Sequence, residues 1–153
     1  MFRAFARDLA AGRRSWDAET ARFVTDLFDQ LAPNWNSSRA TGRADPLRDA
    51  LERGGLFPDG PCLELGSGTG LFTPMLADAF DCLISMDLSE QMLRQAAGRS
   101  PLRVRADASR LPAADASIAA VDMLCLRGRT SAVARPGVPG EHGAAGLMRE
   151  FRA

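Results

Sequence analysis

The sequence contains no lysine at all, and it has only one histidine and three cysteines. The lack of lysine excludes a phosphate-binding loop of the Walker type, which needs that side chain to reach the β- and γ-phosphates. A zinc site is not expected either, since His142 is the single histidine and no Cys-x-x-Cys pair occurs. Cys62, Cys82 and Cys125 lie in apolar runs, which predicts buried thiols in a reducing compartment rather than disulfides.

The chain also lacks an excess of either charge and lacks a long hydrophobic run. Its 19 basic and 19 acidic residues leave no overall positive field of the kind that attracts nucleic acid. No apolar run approaches the roughly 20 residues that span a bilayer. Residues 1–16 are rich in arginine, but Asp8 and the helical spacing of apolar residues favour an amphipathic helix over an organellar presequence. We therefore expect a cytoplasmic protein with a small-molecule partner and with no nucleic-acid or membrane partner.

After residue 60 the chain alternates short apolar runs with segments of helix length. The pattern predicts strands at 62–66, 81–87, 102–107 and 117–126, with helices at 71–80 and 89–99. Such an alternation indicates right-handed crossovers and a mostly parallel sheet. Ligands of such sheets bind outside the carboxyl ends of the strands.

The segments on either side of this core have a different character. Helical periodicity predicts one helix over 16–31, ended by Pro33, and a second helix over 46–53, with a loop between them. Residues 127–153 are rich in glycine and have no strand-like run of useful length, although a short helix fits 144–151. The predicted organisation is a helical cap at 1–60, a core at 61–126 and an irregular tail at 127–153.

A glycine-rich turn follows the first predicted strand. Gly66, Gly68 and Gly70 are spaced two residues apart, whereas the dinucleotide fingerprint needs its third glycine where this chain has Leu71. The turn contains no basic residue, which favours a ligand with little phosphate charge. Glycines let a ribose approach backbone N–H groups, and Glu64 just before them can attract a cationic amine. The alternative is a tight strand-to-helix turn without a ligand.

Aspartates stand at the ends of the next two predicted strands. Asp87 can accept two hydrogen bonds from ribose hydroxyls, and Asp107 can accept one from an exocyclic adenine amine. A structural alternative exists for each: Asp87 suits the first turn of a helix, and Asp107 suits the cap of a loop. Together with the glycine turn they indicate a site for an adenosine-containing ligand.

Four motifs carry a family resemblance, over about residues 20 to 126. "LELGSGTG", "SMDLSEQML" and "RADASRLPAADASI" resemble the class I S-adenosylmethionine-dependent methyltransferases, in particular the ubiquinone/menaquinone methyltransferase-like branch. "LFDQLAPNWNSS" is similar to an N-terminal helix of that branch. The resemblance implies an α/β, Rossmann-like three-layer sandwich whose first four strands have the order 3-2-1-4. It also implies transfer of a methyl group from S-adenosyl-L-methionine to a small-molecule acceptor.

The resemblance further implies which residues contact the cofactor and which cover it. The implied cofactor-binding residues are Glu64, Gly66, Ser67, Gly68, Gly70, Asp87, Leu88, Met92, Asp107 and Ala108. The N-terminal residues expected to act as a lid or to shape the acceptor pocket are Phe28, Trp35 and Arg39. No catalytic residue, metal ligand or acceptor is predicted.

The chain departs from the family after the fourth predicted strand. The family sheet usually has seven strands, in the order 3-2-1-4-5-7-6, so we expect a truncated form whose fourth strand has an apolar edge. The tail, a second chain in a homodimer, or nothing stable would cover that edge. Asp122 within that strand is costly unless it faces the cofactor crevice or the open edge. The alternatives are an active methyltransferase, a non-catalytic remnant that binds S-adenosylmethionine, and, less favoured, a nicotinamide-dependent oxidoreductase.

Overall fold

The computed structural model describes residues 2–39, 45–54, 59–114, 116–124 and 131–134. The helices are α1 (Phe2–Ala10), α2 (Ala18–Leu31), a 3₁₀ turn (Ala32–Asn34), α3 (Trp35–Arg39), α4 (Asp45–Gly54), α5 (Thr73–Ala77) and α6 (Glu90–Gln95). The strands are β1 (Cys62–Leu65), β2 (Leu83–Asp87), β3 (Arg103–Arg105), β4 (Ala120–Leu124) and β5 (Ser131–Ala134). The short helix predicted at 144–151 lies outside the described residues.

Helix α2 begins as local capping chemistry predicts, but the segment that follows it departs from the prediction. Asp17 begins α2 as its N-cap, because its carboxylate accepts a hydrogen bond from the Thr20 N–H at 2.8 Å. The expected loop after Leu31 is wrong for residues 32–39, which are helical. Pro33 occupies the first turn of the 3₁₀ segment, where its missing N–H breaks no helical hydrogen bond.

The sheet formed by the described residues has the order β3-β2-β1-β4-β5. Its first four strands are parallel, which confirms the predicted order 3-2-1-4. β5 runs antiparallel to β4, with Val121 opposite Ala134. We expected no strand in the tail, but β5 takes the edge of β4 and so removes the reason for which a homodimer was predicted.

Side chains from the two faces of the sheet form two apolar clusters. One contains Leu47, Cys62, Leu76, Phe80, Leu83 and Ala120. The other contains Leu63, Leu65, Met86 and Val121. Because side chains alternate along a strand and registered neighbours share a face, Glu64, Ser85 and Asp122 form a polar row beside the first cluster.

Cys62 is buried and Cys82 is half-buried, and both are free thiols. Burial, assisted by the nearby carboxylates Asp122 and Glu64, raises the pKa of Cys62 to about 12, so this thiol stays protonated. The prediction of a buried thiol is confirmed for Cys62, whereas Cys125 lies outside the described residues. The reducing compartment stays a prediction.

Candidate functional site

A cavity of about 740 Å³ lies at the carboxyl ends of β1, β2 and β3, beneath the N-terminal helices. Every predicted cofactor-binding residue except Gly70 lines it, and so do Phe28 and Trp35. Arg39 is the last residue of α3, and its side chain lies outside what the structure describes. The fold thus brings together residues that are up to 80 positions apart, from Phe28 to Ala108.

The glycine turn between β1 and α5 has a backbone that side chains would strain. Gly66, Gly68 and Gly70 all have positive φ angles, of 66°, 57° and 71°. The Ser67 N–H donates to the Met86 carbonyl at 3.0 Å, which ties the turn to β2. A Cβ added at Gly66 would have no neighbour within 4 Å, so its open side is free for a ligand.

Gly70 has a different role from the other two glycines. A Cβ there would lie 3.1 Å from the Ala96 Cβ, 3.2 Å from the Thr73 Oγ1 and 3.3 Å from the Arg99 Cβ. Gly70 therefore allows the turn to pack closely against the segment after α6, and it does not line the cavity. Its predicted contact with a cofactor stays untested.

Asp87 holds the glycine turn against the end of β2. Its Oδ2 accepts from the Gly68 N–H and its Oδ1 accepts from the Ser89 N–H, both at 2.8 Å. Burial raises the pKa of Asp87, although these backbone hydrogen bonds act in the opposite direction. Each carboxylate oxygen has a second lone pair, so Asp87 keeps acceptor capacity toward the cavity that it lines.

Glu64 is a buried carboxyl group, only 3% exposed. Its Oε2 accepts hydrogen bonds from the Thr73 hydroxyl at 2.7 Å and from the Ser85 hydroxyl at 2.8 Å. Burial nevertheless raises the pKa of Glu64 to about 7, so its charge is sensitive to what occupies the cavity near neutral pH. No signal in the sequence predicts this protonation behaviour, because it depends on the surrounding packing.

Asp122 lies beside Glu64 on β4, with the two residues in register. It lines the cavity, which is one of the two settings that the sequence suggested for a charge in this strand. Asp122 is 1% exposed, and neither carboxylate oxygen has a hydrogen-bond partner among the described residues. Burial raises the pKa of Asp122 to about 6.

At the end of β3, Asp107 is bound by the N-terminal segment. Its Oδ2 accepts from the Trp16 indole N–H at 2.8 Å, and its Oδ1 accepts from the Ser109 N–H at 2.8 Å. Burial opposes ionisation, but these hydrogen bonds outweigh it and lower the pKa of Asp107. The acceptor that we expected to meet an adenine amine is thus already engaged by an indole.

Two further side chains attach the N-terminal helices to the core. Asp29 of α2 accepts from the Ser89 hydroxyl and from the Gln91 N–H at the start of α6. Asn36 of α3 accepts from the Thr69 hydroxyl in the glycine turn. The cap is therefore hydrogen-bonded to the same loops that form the cavity.

Comparison with known proteins decides what kind of domain carries this cavity. Residues 63–127 match the profile of the methyltransferase domain family. Residues 63–127 are therefore similar to a methyltransferase domain. A search of curated proteins finds no match to the chain.

Solved structures of methyltransferases have a similar fold. A Thermotoga maritima S-adenosylmethionine-dependent methyltransferase, described as a possible histamine N-methyltransferase, is 26% identical over 65% of this chain and 46% of its own, with a TM-score of 0.51. Phosphoethanolamine N-methyltransferase 1 of Haemonchus contortus, solved with phosphoethanolamine and S-adenosylhomocysteine, is 22% identical over 71% of this chain and 26% of its own, with a TM-score of 0.55.

Magnesium protoporphyrin IX methyltransferase of Synechocystis PCC 6803, solved with bound S-adenosylmethionine, is 18% identical to this chain. The similarity covers 73% of this chain and 64% of that one, with a TM-score of 0.52. Our chain thus spans between about a quarter and two thirds of the length of these three structures. At these identities the likeness to the Haemonchus and Synechocystis enzymes shows the fold alone.

Sequence reasoning about this site missed Trp16, Asp29 and Asn36 and did not identify Asp122 as a site residue. Trp16 and Asp107 are 91 positions apart, and no local pattern links them. Within the described ranges, no group of three or more His, Cys, Asp or Glu side chains is placed to hold a metal ion. In the same ranges, no helix is both long and apolar enough to cross a membrane.

Proposed function

We propose that this chain binds S-adenosyl-L-methionine in the cavity and transfers its methyl group to a small-molecule acceptor. The observation that carries the proposal is the position of the cavity, at the glycine turn and the strand ends of a methyltransferase domain. Its volume of about 740 Å³ is in the range of small-molecule sites, roughly 300–1,000 Å³.

The charges around the cavity favour this cofactor over a dinucleotide. Its described lining includes four carboxylates, at Glu64, Asp87, Asp107 and Asp122, but only one guanidinium, at Arg14. A pyrophosphate would be repelled by such a lining, whereas a ligand with a sulfonium and an ammonium group is attracted by it.

The residues present also fit the parts of S-adenosylmethionine. Glu64 would accept from the ammonium group, Asp87 would accept from the ribose hydroxyls, and the open side of Gly66 leaves room for the chain between them. The Ser67 hydroxyl, 6% exposed and without a hydrogen-bond partner in the described part of the chain, is a further donor for the ligand. Leu88, Met92 and Ala108 supply apolar surface for the adenine.

When bound, the cofactor supplies a methyl group on a sulfonium, which is already a good leaving group. The contribution of the protein is then mostly alignment of the reactants, which supplies roughly 7–11 kcal/mol in well-oriented systems. Phe28 and Trp35, whose ring centroids are 5.6 Å apart, form an aromatic wall from the N-terminal cap. We propose that this wall, together with Arg39, covers the cofactor and shapes the acceptor pocket.

The acceptor is proposed as a small molecule because the cavity lies under the helical cap. The Thermotoga maritima neighbour, described as a possible histamine N-methyltransferase, agrees with this class. The narrower likeness to quinone methyltransferases, the absence of a nucleic-acid partner and the cytoplasmic location stay predictions. They depend on short motifs, on the balanced charge and on the free thiols.

Calorimetry with S-adenosylmethionine and S-adenosylhomocysteine tests the cofactor, with NAD as the competing ligand. We expect one-to-one binding of both sulfur nucleosides and none of NAD; the reverse result would overturn the proposal. Transfer of a labelled methyl group to a panel of small acceptors tests the reaction. Binding without transfer to any acceptor would leave a binding protein and refute the enzymatic part.

The proposed lid is tested with Trp35→Ala. We expect weaker binding of both cofactor and acceptor, because the variant removes one side of the aromatic wall. If both affinities stay unchanged, Trp35 has no lid role. Leu102→Ala, a change at an exposed apolar residue outside the cavity lining, is the control for loss of a large side chain.

A further inference from the structure

Asp122 is the buried charge in this fold that the described residues leave without a partner. Its side chain is 1% exposed, both carboxylate oxygens lack a hydrogen bond, and the residue lines the cavity. A buried carboxylate in this state is unfavourable unless a proton or a positive group neutralises it. The resemblance to methyltransferases assigns no role to this position.

Glu64 lies next to Asp122 across the β1–β4 ladder, on the same face of the sheet. Its hydrogen bonds from Thr73 and Ser85 both go to Oε2, so Oε1 keeps its acceptor capacity. The two side chains together offer at least three carboxylate oxygens that no described donor uses.

The described residues do not provide the cation that this pair needs. Arg14, the only basic residue in the described lining, has its guanidinium 5.1 Å above the Phe5 ring. A metal ion is disfavoured, since the described residues place no third acidic, histidine or cysteine side chain to complete a site. An alkylammonium group, with three N–H donors and one positive charge, matches the free oxygens.

We propose that Asp122 and Glu64 together bind the alkylammonium group of a ligand in the cavity. The inference rests on the proposed function, which supplies two sources of that group. One is the α-ammonium of the amino-acid part of S-adenosylmethionine, and the other is the amine of a methyl acceptor. In both cases Asp122 determines specificity for a cationic ligand.

The first arm of the test compares two nucleosides by calorimetry, with wild type and Asp122→Asn. S-adenosylhomocysteine carries the α-ammonium, whereas 5′-methylthioadenosine has the same nucleoside without the amino-acid part. If the cofactor is the source, the variant lowers the affinity for S-adenosylhomocysteine at least tenfold and the affinity for 5′-methylthioadenosine less than twofold. Equal weakening of both ligands would indicate a structural effect and overturn the proposal.

The second arm measures binding of ethanolamine, as a probe amine, to protein saturated with S-adenosylhomocysteine. If the acceptor is the source, Asp122→Asn leaves the affinities for both nucleosides within twofold of wild type and lowers the affinity for ethanolamine at least tenfold. No change in any of the three affinities would refute the proposal and indicate that Asp122 is neutralised by a proton. Wild-type protein that binds neither nucleoside would instead refute the proposed function itself.

Two further variants keep the result interpretable. Asp122→Asn preserves the shape of the side chain and removes a buried charge, so we expect it to fold, which circular dichroism checks. Glu64→Gln should reproduce the ligand selectivity of Asp122→Asn. Asp81→Asn, at an exposed position outside the cavity lining, should leave every affinity within twofold.

Discussion

Asp87 and Asp107 stand at the ends of neighbouring parallel strands, and each accepts two hydrogen bonds, yet they belong to two different kinds of region. Asp87 is bound by two backbone N–H groups of the core, from Gly68 and Ser89. Asp107 is bound by one backbone N–H and by the indole of Trp16 from the cap. Burial raises the pKa of Asp87, whereas hydrogen bonds lower the pKa of Asp107 against the effect of burial.

The difference teaches that one half of the cavity is built within the core and the other half is completed by the cap. The core half, around Asp87, has its carboxylate oriented by main-chain groups that no side-chain change removes. The cap half, around Asp107, depends on one indole that lies at an exposed position. Replacements in the core half should therefore have the larger effects.

The largest effect is expected from Asp87→Ala. The variant loses two charge-assisted hydrogen bonds to the glycine turn and the α6 turn, and such bonds contribute about 1.5–3 kcal/mol each. We expect the affinity for S-adenosylhomocysteine to fall by about 100-fold or more in calorimetry. Asp81→Ala, at an exposed position, is the control, and an affinity of the Asp87 variant within threefold of wild type would contradict the prediction.

The next largest effect is expected from Gly70→Ala. This change adds a Cβ at a φ of 71° and within 3.1 Å of the Ala96 Cβ, so strain and crowding should reduce the free energy of unfolding by about 2–3 kcal/mol. Gly98→Ala is the matched control, because a Cβ there has nothing within 4 Å. Urea unfolding of both variants measures the difference, and equal stabilities would show that the turn is not tightly packed.

A third prediction concerns pH and the buried carboxyl groups of the core half. Burial raises the pKa of Glu64 to about 7 and that of Asp122 to about 6, above their ordinary values of 4.5 and 3.8. At these two groups the folded chain then binds more protons than the unfolded chain, so their contribution to the free energy of unfolding should be greatest below about pH 4 and fall as pH rises toward 7.

Asp122→Asn should remove its share of this pH dependence, roughly 1–3 kcal/mol, between about pH 4 and 6. Urea unfolding of wild type and variant across this range measures it. Asp107 has a lowered pKa and so acts with the opposite sign, losing stability only as pH falls below its ordinary value of 3.8. Parallel pH profiles of wild type and variant would mean that Asp122 is not the titrating group.

The smallest effect is expected from Trp16→Phe in the cap half. The variant keeps an aromatic ring but removes the donor to Asp107, so the pKa of Asp107 should rise toward its ordinary value while that of Asp87 stays unchanged. NMR titration of the carboxyl carbons of Asp87 and Asp107 measures both pKa values in one sample. Because this hydrogen bond to a carboxylate is exposed to solvent, it contributes only about 1 kcal/mol, and S-adenosylhomocysteine should bind about two- to fivefold more tightly if adenine takes the freed acceptor. An unchanged pKa at Asp107 would contradict the pairing.

Much of the sheet was predictable from the sequence, because strand and helix patterns repeat over a few residues. The parallel direction of the first four strands follows from the crossovers, their order was implied by the family resemblance, and the glycine turn follows from the spacing of Gly66, Gly68 and Gly70. The helical continuation after Pro33 and strand β5 were not predicted. The helical continuation requires Pro33 to lie in a first turn. Strand β5 forms by hydrogen bonding to β4, and its own residues show no strand pattern.

The candidate site was predictable only as a set of acceptors at strand ends. The sequence could place Asp87 and Asp107 at the same edge of the sheet. It could not show that Trp16 would reach Asp107 from the cap, or that Asp29 would reach the Ser89 hydroxyl. Those contacts join segments that are 60 to 91 positions apart. They depend on how helices pack on the sheet, which no local periodicity specifies.

By itself, therefore, the sequence determined the alternating core, the glycine turn and the acidic residues at its strand ends, since these depend on neighbours along the chain. Only the tertiary structure decided which acidic groups are paired. Glu64 obtains hydroxyl donors from Thr73 and Ser85, Asp107 obtains an indole, and Asp122 obtains no donor among the described residues. The physical reason is that burial and hydrogen bonding are set by distant segments that exclude water and supply donors, and these determine the protonation of each carboxyl group.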